Sequence, residues 1–74
     1  MIIARFTKPQ LDHFRENCNF TAVERKVFDL RSTATPLESI AEQLGYSIDG
    51  IKKVSRRVNE KINAIHEIST YSTL

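Results

Sequence analysis

Apolar residues recur along this chain at the spacing of an α-helix, in four segments separated by capping and turn residues. The pattern predicts helices over residues 8–17, 22–31, 36–44 and 48–67, with a frayed tail from Ser69. No segment alternates apolar and polar residues with the period of two that a half-buried strand requires. The sequence therefore predicts an all-α fold of four helices, of which the last is long.

The fourth predicted helix carries its apolar and its cationic residues on opposite faces. At about 100° per residue, a stripe about 80° wide contains the aliphatic positions Ile51, Val54, Val58, Ile62 and Ile65. Lys52, Lys53, Arg56 and Arg57 occupy the other side, over about 140°. We expect the first face to pack into a core and the second to face solvent or a polyanion.

Capping residues mark the ends of the predicted helices. Three pairs have the spacing of a capping box: Thr7 with Gln10, Thr21 with Glu24, and Thr35 with Glu38. The third box has Pro36 at the first helical position, where its missing N–H costs nothing. Gly45 is expected to end the third helix in the left-handed conformation, and Ser47 to cap the fourth.

Composition and charge narrow the possible functions. The 74 residues, 41% of them hydrophobic, suffice for one domain spanning residues 1–74, with a core small enough to make a partner or an oligomer favourable. The net charge is only +2, but residues 52–61 carry five cations against Glu60 alone, whereas residues 1–46 are balanced. A basic face on a neutral body is typical of a surface that binds an anionic partner.

Several other classes of protein are not expected. The single Cys18 cannot form an intramolecular disulfide and is expected to be a small buried hydrophobe in a reducing cytoplasm. No apolar run approaches the roughly 20 residues of a membrane span. His13 and His66 lack metal-ligand spacing, and no phosphate loop or cofactor motif is present. We therefore expect no enzyme, no cofactor, no metal site, no membrane contact and no small-molecule substrate.

Residues 36–58 have the sequence pattern of a helix-turn-helix: a short amphipathic helix, a tight turn at Gly45 and a basic helix. The surrounding motifs are Phe20-Thr21-Ala22-Val23-Glu24-Arg25, Ile40-Ala41-Glu42-Gln43-Leu44-Gly45-Tyr46-Ser47, Ile51-Lys52 and Lys61-Ile62. In these motifs residues 21–62 resemble, without a gap, the DNA-binding domain of the LuxR/GerE family of bacterial transcription regulators. They are similar also to the sigma-factor domain that reads the upstream promoter element, and to small stand-alone bacterial or phage regulators of this kind.

The resemblance implies a transcriptional regulator that binds double-stranded DNA, on the cytoplasmic nucleoid, with helix 48–67 in the major groove. It places Lys52 at the family's base- or phosphate-contacting lysine, and Lys53 and Arg56 at neighbouring contact positions. Arginines on this face can also bind guanine O6 and N7 bidentately, which is worth about 1–3 kcal/mol of discrimination. The predicted DNA-binding residues are Ser47, Asp49, Gly50, Lys52, Lys53, Arg56, Arg57 and Lys61.

Two of these positions are open to more than one interpretation, and the family pattern is not complete. Asp49 either accepts a hydrogen bond from cytosine N4 or stabilises the helix N-terminus, and the second is favoured. Gly50 stands where the LuxR family usually has Thr, and Val54 where it has His. Gly50 either lets the backbone approach DNA closely or is a tolerated glycine near a helix end, at a cost of about 0.5–1 kcal/mol.

The apolar stripe of the fourth helix continues beyond the helix-turn-helix, over residues 59–68. Ile62, Ile65 and Ile68 lie past the expected reach of the second and third helices, so either the first helix or a second chain must cover them. A homodimer through these residues is favoured and would read a palindromic site. The alternative function is a protein-interaction module that docks on RNA polymerase or another regulator with the same sigma-like fold.

Overall fold

The computed structural model describes the backbone of residues 3–72 and the side chains of residues 3–65. A short 3-10 turn, Ile3–Arg5, precedes four helices: α1 (Lys8–Asn17), α2 (Ala22–Ser32), α3 (Leu37–Leu44) and α4 (Ile48–Ser72). The described residues contain no strand, so the predicted all-α fold with a long last helix is confirmed. The sequence did not predict the 3-10 turn, and α4 continues helical past Ser69, where a frayed tail was expected.

Two of the three predicted capping boxes form. The Thr7 amide donates to Gln10 Oε1 at 2.8 Å, and the Thr21 amide donates to Glu24 Oε1 at 2.9 Å. In each box the threonine hydroxyl accepts the backbone N–H of its partner residue. These reciprocal bonds satisfy donors that the first turn of a helix otherwise leaves unpaired, which fixes where α1 and α2 begin.

The third predicted box, at Thr35, is wrong. Helix α3 begins at Leu37, one residue later than expected, and Pro36 precedes it without a side-chain cap. Thr35 belongs instead to the end of α2, because its N–H donates to the Leu30 carbonyl at 3.1 Å and its hydroxyl lies 3.1 Å from that of Thr33. The backbone N–H that Glu38 was expected to bind is therefore already used.

All four helices contribute to one hydrophobic core, and α4 packs against each of the other three. The largest side chains with no exposed area are Val27, Phe28, Ile40, Ile51, Val58 and Ile62. On α4 the buried face is shifted from the predicted stripe, because Ser55 is buried and Val54 is only half-buried. Two of the buried residues are small, Ser55 on α4 and Ala41 on α3.

The predicted dimerisation residues lie in different environments. Ile62 has no exposed area, and the thiol of Cys18, at the end of α1, lies 3.5 Å from the neighbouring Lys61 carbonyl. Ile62 therefore packs inside the chain's own core and is not exposed to a second chain, contrary to its predicted role. Ile65 is half-buried against the same core, and the side chain of Ile68 lies outside the described residues.

Helix α4 sets the length of the molecule. Its 25 residues span about 37 Å at 1.5 Å per residue. The longest dimension of the molecule is 42 Å, against 19 Å across each of the other two axes. None of the described helices, α4 included, is both long enough and apolar enough to cross a membrane.

Candidate functional site

A three-residue turn, Gly45 to Ser47, redirects the chain from α3 into α4. Gly45 has a φ of 71°, and the N–H of Tyr46 donates back to the Ala41 carbonyl at 2.9 Å, so the predicted left-handed end of α3 is confirmed. Ser47 then starts α4: its carbonyl accepts the Ile51 N–H at 3.0 Å and its hydroxyl accepts the Gly50 N–H at 3.0 Å. The turn is therefore determined by local hydrogen bonds at both ends.

The environment of Gly50 gives a structural reason for glycine at this position. A Cβ atom added to Gly50 would lie 3.1 Å from the Ser47 hydroxyl oxygen, closer than ordinary van der Waals contact. The same hydroxyl accepts the Gly50 N–H. Glycine at position 50 thus leaves room for the serine cap of the helix, which is a packing role independent of any ligand.

The outer side of α4 presents four cations, Lys52, Lys53, Arg56 and Arg57, which we call the cationic face. All four side chains are exposed, as the helical phase predicted. Within the described part of the chain, none of them forms an ion pair with a carboxylate. Because their charge is not neutralised internally, it remains available to an anionic partner.

The buried face of α4 holds the cationic face in place. Ile51, Ser55 and Val58 are buried between the cationic positions, and Ile51 and Val58 have no exposed area. Side chains with a fixed backbone beneath them lose less freedom on binding than side chains on a mobile loop. The backbone positions of the cationic face are therefore fixed before a partner binds.

Lys61, which was predicted to join the cationic face, has a different environment. Its ammonium donates to the Glu24 carboxylate at 2.5 Å and to the Asn19 carbonyl at 2.7 Å. Glu24 is buried and also caps α2 through Thr21, so the pair links the start of α2 to the middle of α4. The charge of Lys61 is therefore neutralised by Glu24, and Lys61 is not part of the cationic face.

Burial has different net effects on the pKa values of the Glu24 carboxyl and the Cys18 thiol. Burial raises the pKa of Glu24, but hydrogen bonds from Lys61 and Thr21 outweigh it, so that the pKa lies below its ordinary value of 4.5. Burial raises the pKa of the Cys18 thiol, and the opposing effect of the charge on Lys61 is smaller. The predicted role of Cys18 as a small buried hydrophobe agrees with this protonated, inaccessible state.

Two exposed apolar side chains border the N-terminal end of the cationic face. Tyr46 is 45% exposed and Ile48 is 38% exposed, and they are the large hydrophobic residues that are exposed in the described part of the chain. Neither residue is among the site residues predicted from the sequence. Helical phase could have identified Ile48, because it falls about 40° outside the apolar stripe of α4. Tyr46 lies in the turn, where periodicity carries no information.

The remaining predicted site residues occupy the same end of α4. Ser47 and Asp49 are exposed, and Asp49 lies in the first helical turn, where a carboxylate stabilises the helix dipole. No three His, Cys, Asp or Glu side chains converge as a possible metal site among the described residues. Comparisons of the chain with models of known families, with curated proteins and with solved structures gave no match.

Proposed function

We propose that this protein is a sequence-specific double-stranded DNA-binding regulator, in which α3, the turn and α4 act as a helix-turn-helix with α4 in the major groove. The cationic face is the observation that supports this proposal most strongly. Four cations that form no ion pair with the described carboxylates lie on the outer side of a helix whose inner side is part of the core. A helix of this kind fits the major groove in width and complements phosphate in charge.

Each part of the site then has a role. Arg56 and Arg57 read guanine edges through paired N–H donors, whereas Lys52 and Lys53 act as point charges on phosphates. The backbone amides at the start of α4, beside Ser47, bind a phosphate on the helix dipole. Asp49 supports the N-terminus of the helix, and Lys61 supports the fold rather than the DNA contact.

The resemblance to the LuxR/GerE and sigma-factor domains supports the same proposal from the sequence. The motif Ile40-Ala41-Glu42-Gln43-Leu44-Gly45-Tyr46-Ser47 spans α3 and the turn, and Ile51-Lys52 opens α4. Gly45 and Ser47 have the capping roles that such a motif requires. A small bacterial or phage regulator that acts on DNA in the cytoplasm is the corresponding biological setting.

A binding titration tests the proposal. The purified chain is first used to select a duplex from a random-sequence library. The binding constant for this duplex should fall steeply as the salt concentration rises. For each phosphate contact, its logarithm should fall by about 0.9 for a tenfold increase in salt. Lys52→Ala should reduce the magnitude of this slope by about one contact, and Arg56→Ala should cost about 1–3 kcal/mol on the selected sequence.

Arg25→Ala is the matched control, since Arg25 is an exposed arginine on α2 that forms no ion pair in the described structure. Its affinity for the selected duplex should stay close to that of the unaltered chain. The proposal fails if no duplex is enriched and low salt gives no binding, or if Arg56→Ala binds as well as Arg25→Ala.

The second candidate function is protein docking, on RNA polymerase or another regulator. The exposed Tyr46 and Ile48 favour it, because tyrosine and aliphatic residues are common at the centres of protein interfaces. In that case Tyr46→Ala should weaken retention of RNA polymerase on the immobilised chain in the absence of DNA. Retention should change little between low and moderate salt, unlike the binding of DNA.

A further inference from the structure

We infer that Ile48 reads a thymine: its exposed side chain contacts the C5-methyl group of a T·A pair at a fixed spacing from the guanine that Arg56 contacts. This inference rests on the proposed function and assigns one part of the recognised sequence. It starts from an exposed apolar residue for which the core provides no partner. Single exposed hydrophobics are common, but Ile48 and Tyr46 lie together at the one turn that borders the cationic face.

The position of Ile48 on α4 places it on the same stripe as two of the cations. Ile48, Lys52 and Arg56 follow one another at intervals of four residues, so they fall within about 80° of one another around the helix axis. Ile48 is the first residue of α4, next to the Ser47 cap. A helix that puts Arg56 and Lys52 against DNA therefore also directs Ile48 toward it.

The chemistry of the major groove determines what Ile48 can contact there. Of the groups that the base pairs expose in this groove, the thymine methyl is the apolar one, and apolar side chains recognise it. A charged or hydrogen-bonding base edge would instead be desolvated by the isoleucine without compensation. Tyr46, two residues before Ile48, is a second large apolar side chain exposed at this turn.

The helix geometry limits the spacing between the two contacted bases. Ile48 and Arg56 are separated by eight residues, which is about 12 Å along the helix axis. The rise of about 3.4 Å per base pair is measured along the duplex axis. Because the helix follows the groove at an angle to that axis, this distance spans at most about three or four base pairs. The selected half-site should therefore contain a T within about four base pairs of the G that Arg56 contacts.

Replacement of that thymine by uracil removes the methyl group and keeps the base pairing. On the duplex selected from the random library, we expect the substitution to weaken binding about four-fold, as for one buried methyl group. Ile48→Ala should bind the thymine and uracil duplexes equally, whereas Ile48→Val should retain most of the difference. Uracil at thymines outside the half-site is the control, and thermal unfolding of each variant confirms that it is folded.

The outcomes separate this inference from the proposed function. Salt-dependent binding to an enriched sequence, with equal affinity for thymine and uracil, would overturn the role of Ile48 and leave the DNA-binding function in place. The same conclusion follows if Ile48→Ala still distinguishes the two duplexes, because another residue would then contact the methyl group. Failure to enrich any duplex removes both proposals.

Discussion

At the scale of single residues, two helix ends use the same hydrogen-bond pattern with different residues in the left-handed position. Gly45 at the end of α3 has a φ of 71°, and Ala34 at the end of α2 has a φ of 62°. In both cases the following residue donates its N–H across the last turn, from Tyr46 to Ala41 and from Thr35 to Leu30. Alanine pays a steric cost in this conformation that glycine does not.

Ala34→Gly should therefore stabilise the protein, unlike most substitutions to glycine. We expect the free energy of unfolding to rise by about 0.5–1 kcal/mol, because relief of left-handed strain exceeds the added freedom of the unfolded chain. Urea unfolding at unchanged m value measures the difference. Ala64→Gly, at an exposed position inside α4, is the control and should lose about 1 kcal/mol. A loss of similar size in both variants would contradict the left-handed strain assigned to Ala34.

Ser47 and Gly50 should be energetically coupled. In the unaltered chain, Gly50→Ala gains helix propensity but crowds the Ser47 hydroxyl, at 3.1 Å from the new Cβ, so the net change should be close to zero. After Ser47→Ala removes that hydroxyl, the same substitution should stabilise by about 0.5–1 kcal/mol. A double-mutant cycle in urea measures the coupling. Additive effects would show that the Ser47 cap is not the reason for glycine at position 50.

These positions also show what could be predicted from the sequence at this scale. The boxes at Thr7 and Thr21, the left-handed Gly45 and the Ser47 cap were predictable because each depends on residues three or four apart. Thr35 has the same local pattern but lies only two residues after Thr33, which follows α2. Its N–H is already hydrogen-bonded to the Leu30 carbonyl of α2, and the local motif alone does not reveal this competing bond.

At the scale of elements, the ion pair between Lys61 and Glu24 fastens α4 to the start of α2. Lys61→Met should lower the free energy of unfolding by about 1–3 kcal/mol, because it leaves a buried carboxylate without its main partner. Lys53→Met is the matched control on the exposed side of α4 and should stay within about 0.5 kcal/mol of the unaltered chain. Equal effects of the two substitutions would contradict a structural role for Lys61.

The pair also predicts the pH dependence of this difference. Since the pKa of Glu24 is below 4.5 in the folded chain, its ionised form contributes stability that is present above pH 4.5 and lost as the pH falls through the folded pKa. In Lys61→Met, the hydrogen bond and the charge of Lys61 no longer lower the pKa of Glu24, so the pKa is higher than in the unaltered chain. The stability gap between the two proteins should therefore narrow on acidification below pH 4.5. Urea unfolding of both proteins between pH 3 and 7, at about half-unit intervals, measures the gap, and a constant gap would exclude Glu24 as its source.

Sequence periodicity predicted the elements better than their partners. It identified the apolar stripe of α4 and the exposure of the cationic face, because both depend on helical phase alone. It could not identify the partner of Lys61, since Glu24 is 37 residues away along the chain. For the same reason it could not show that α1, through Cys18, reaches the level of Ile62 and closes the core there.

At the scale of the whole molecule, α4 extends well beyond Ile62, which is its last fully buried side chain among the described residues. Ten residues of this helix follow Ile62, a length of about 15 Å. The sequence keeps an apolar residue at helical spacing in this part, with Ile65 followed by Ile68. Since Ile62 is already buried, a contact between two copies of the chain would begin at Ile65.

We propose that the protein is a homodimer through this part of α4, which would place two cationic faces on the half-sites of a palindrome. Sedimentation equilibrium should give twice the 8.5 kDa mass of one chain. Ile68→Asp should yield a monomer that binds a single half-site, because the substitution introduces like charges into the proposed interface. Thermal unfolding of the variant checks that it is folded. Ala64→Asp, at an exposed position, should remain dimeric. A single 8.5 kDa species at high concentration would contradict the dimer and leave the DNA-binding face of each chain unaffected.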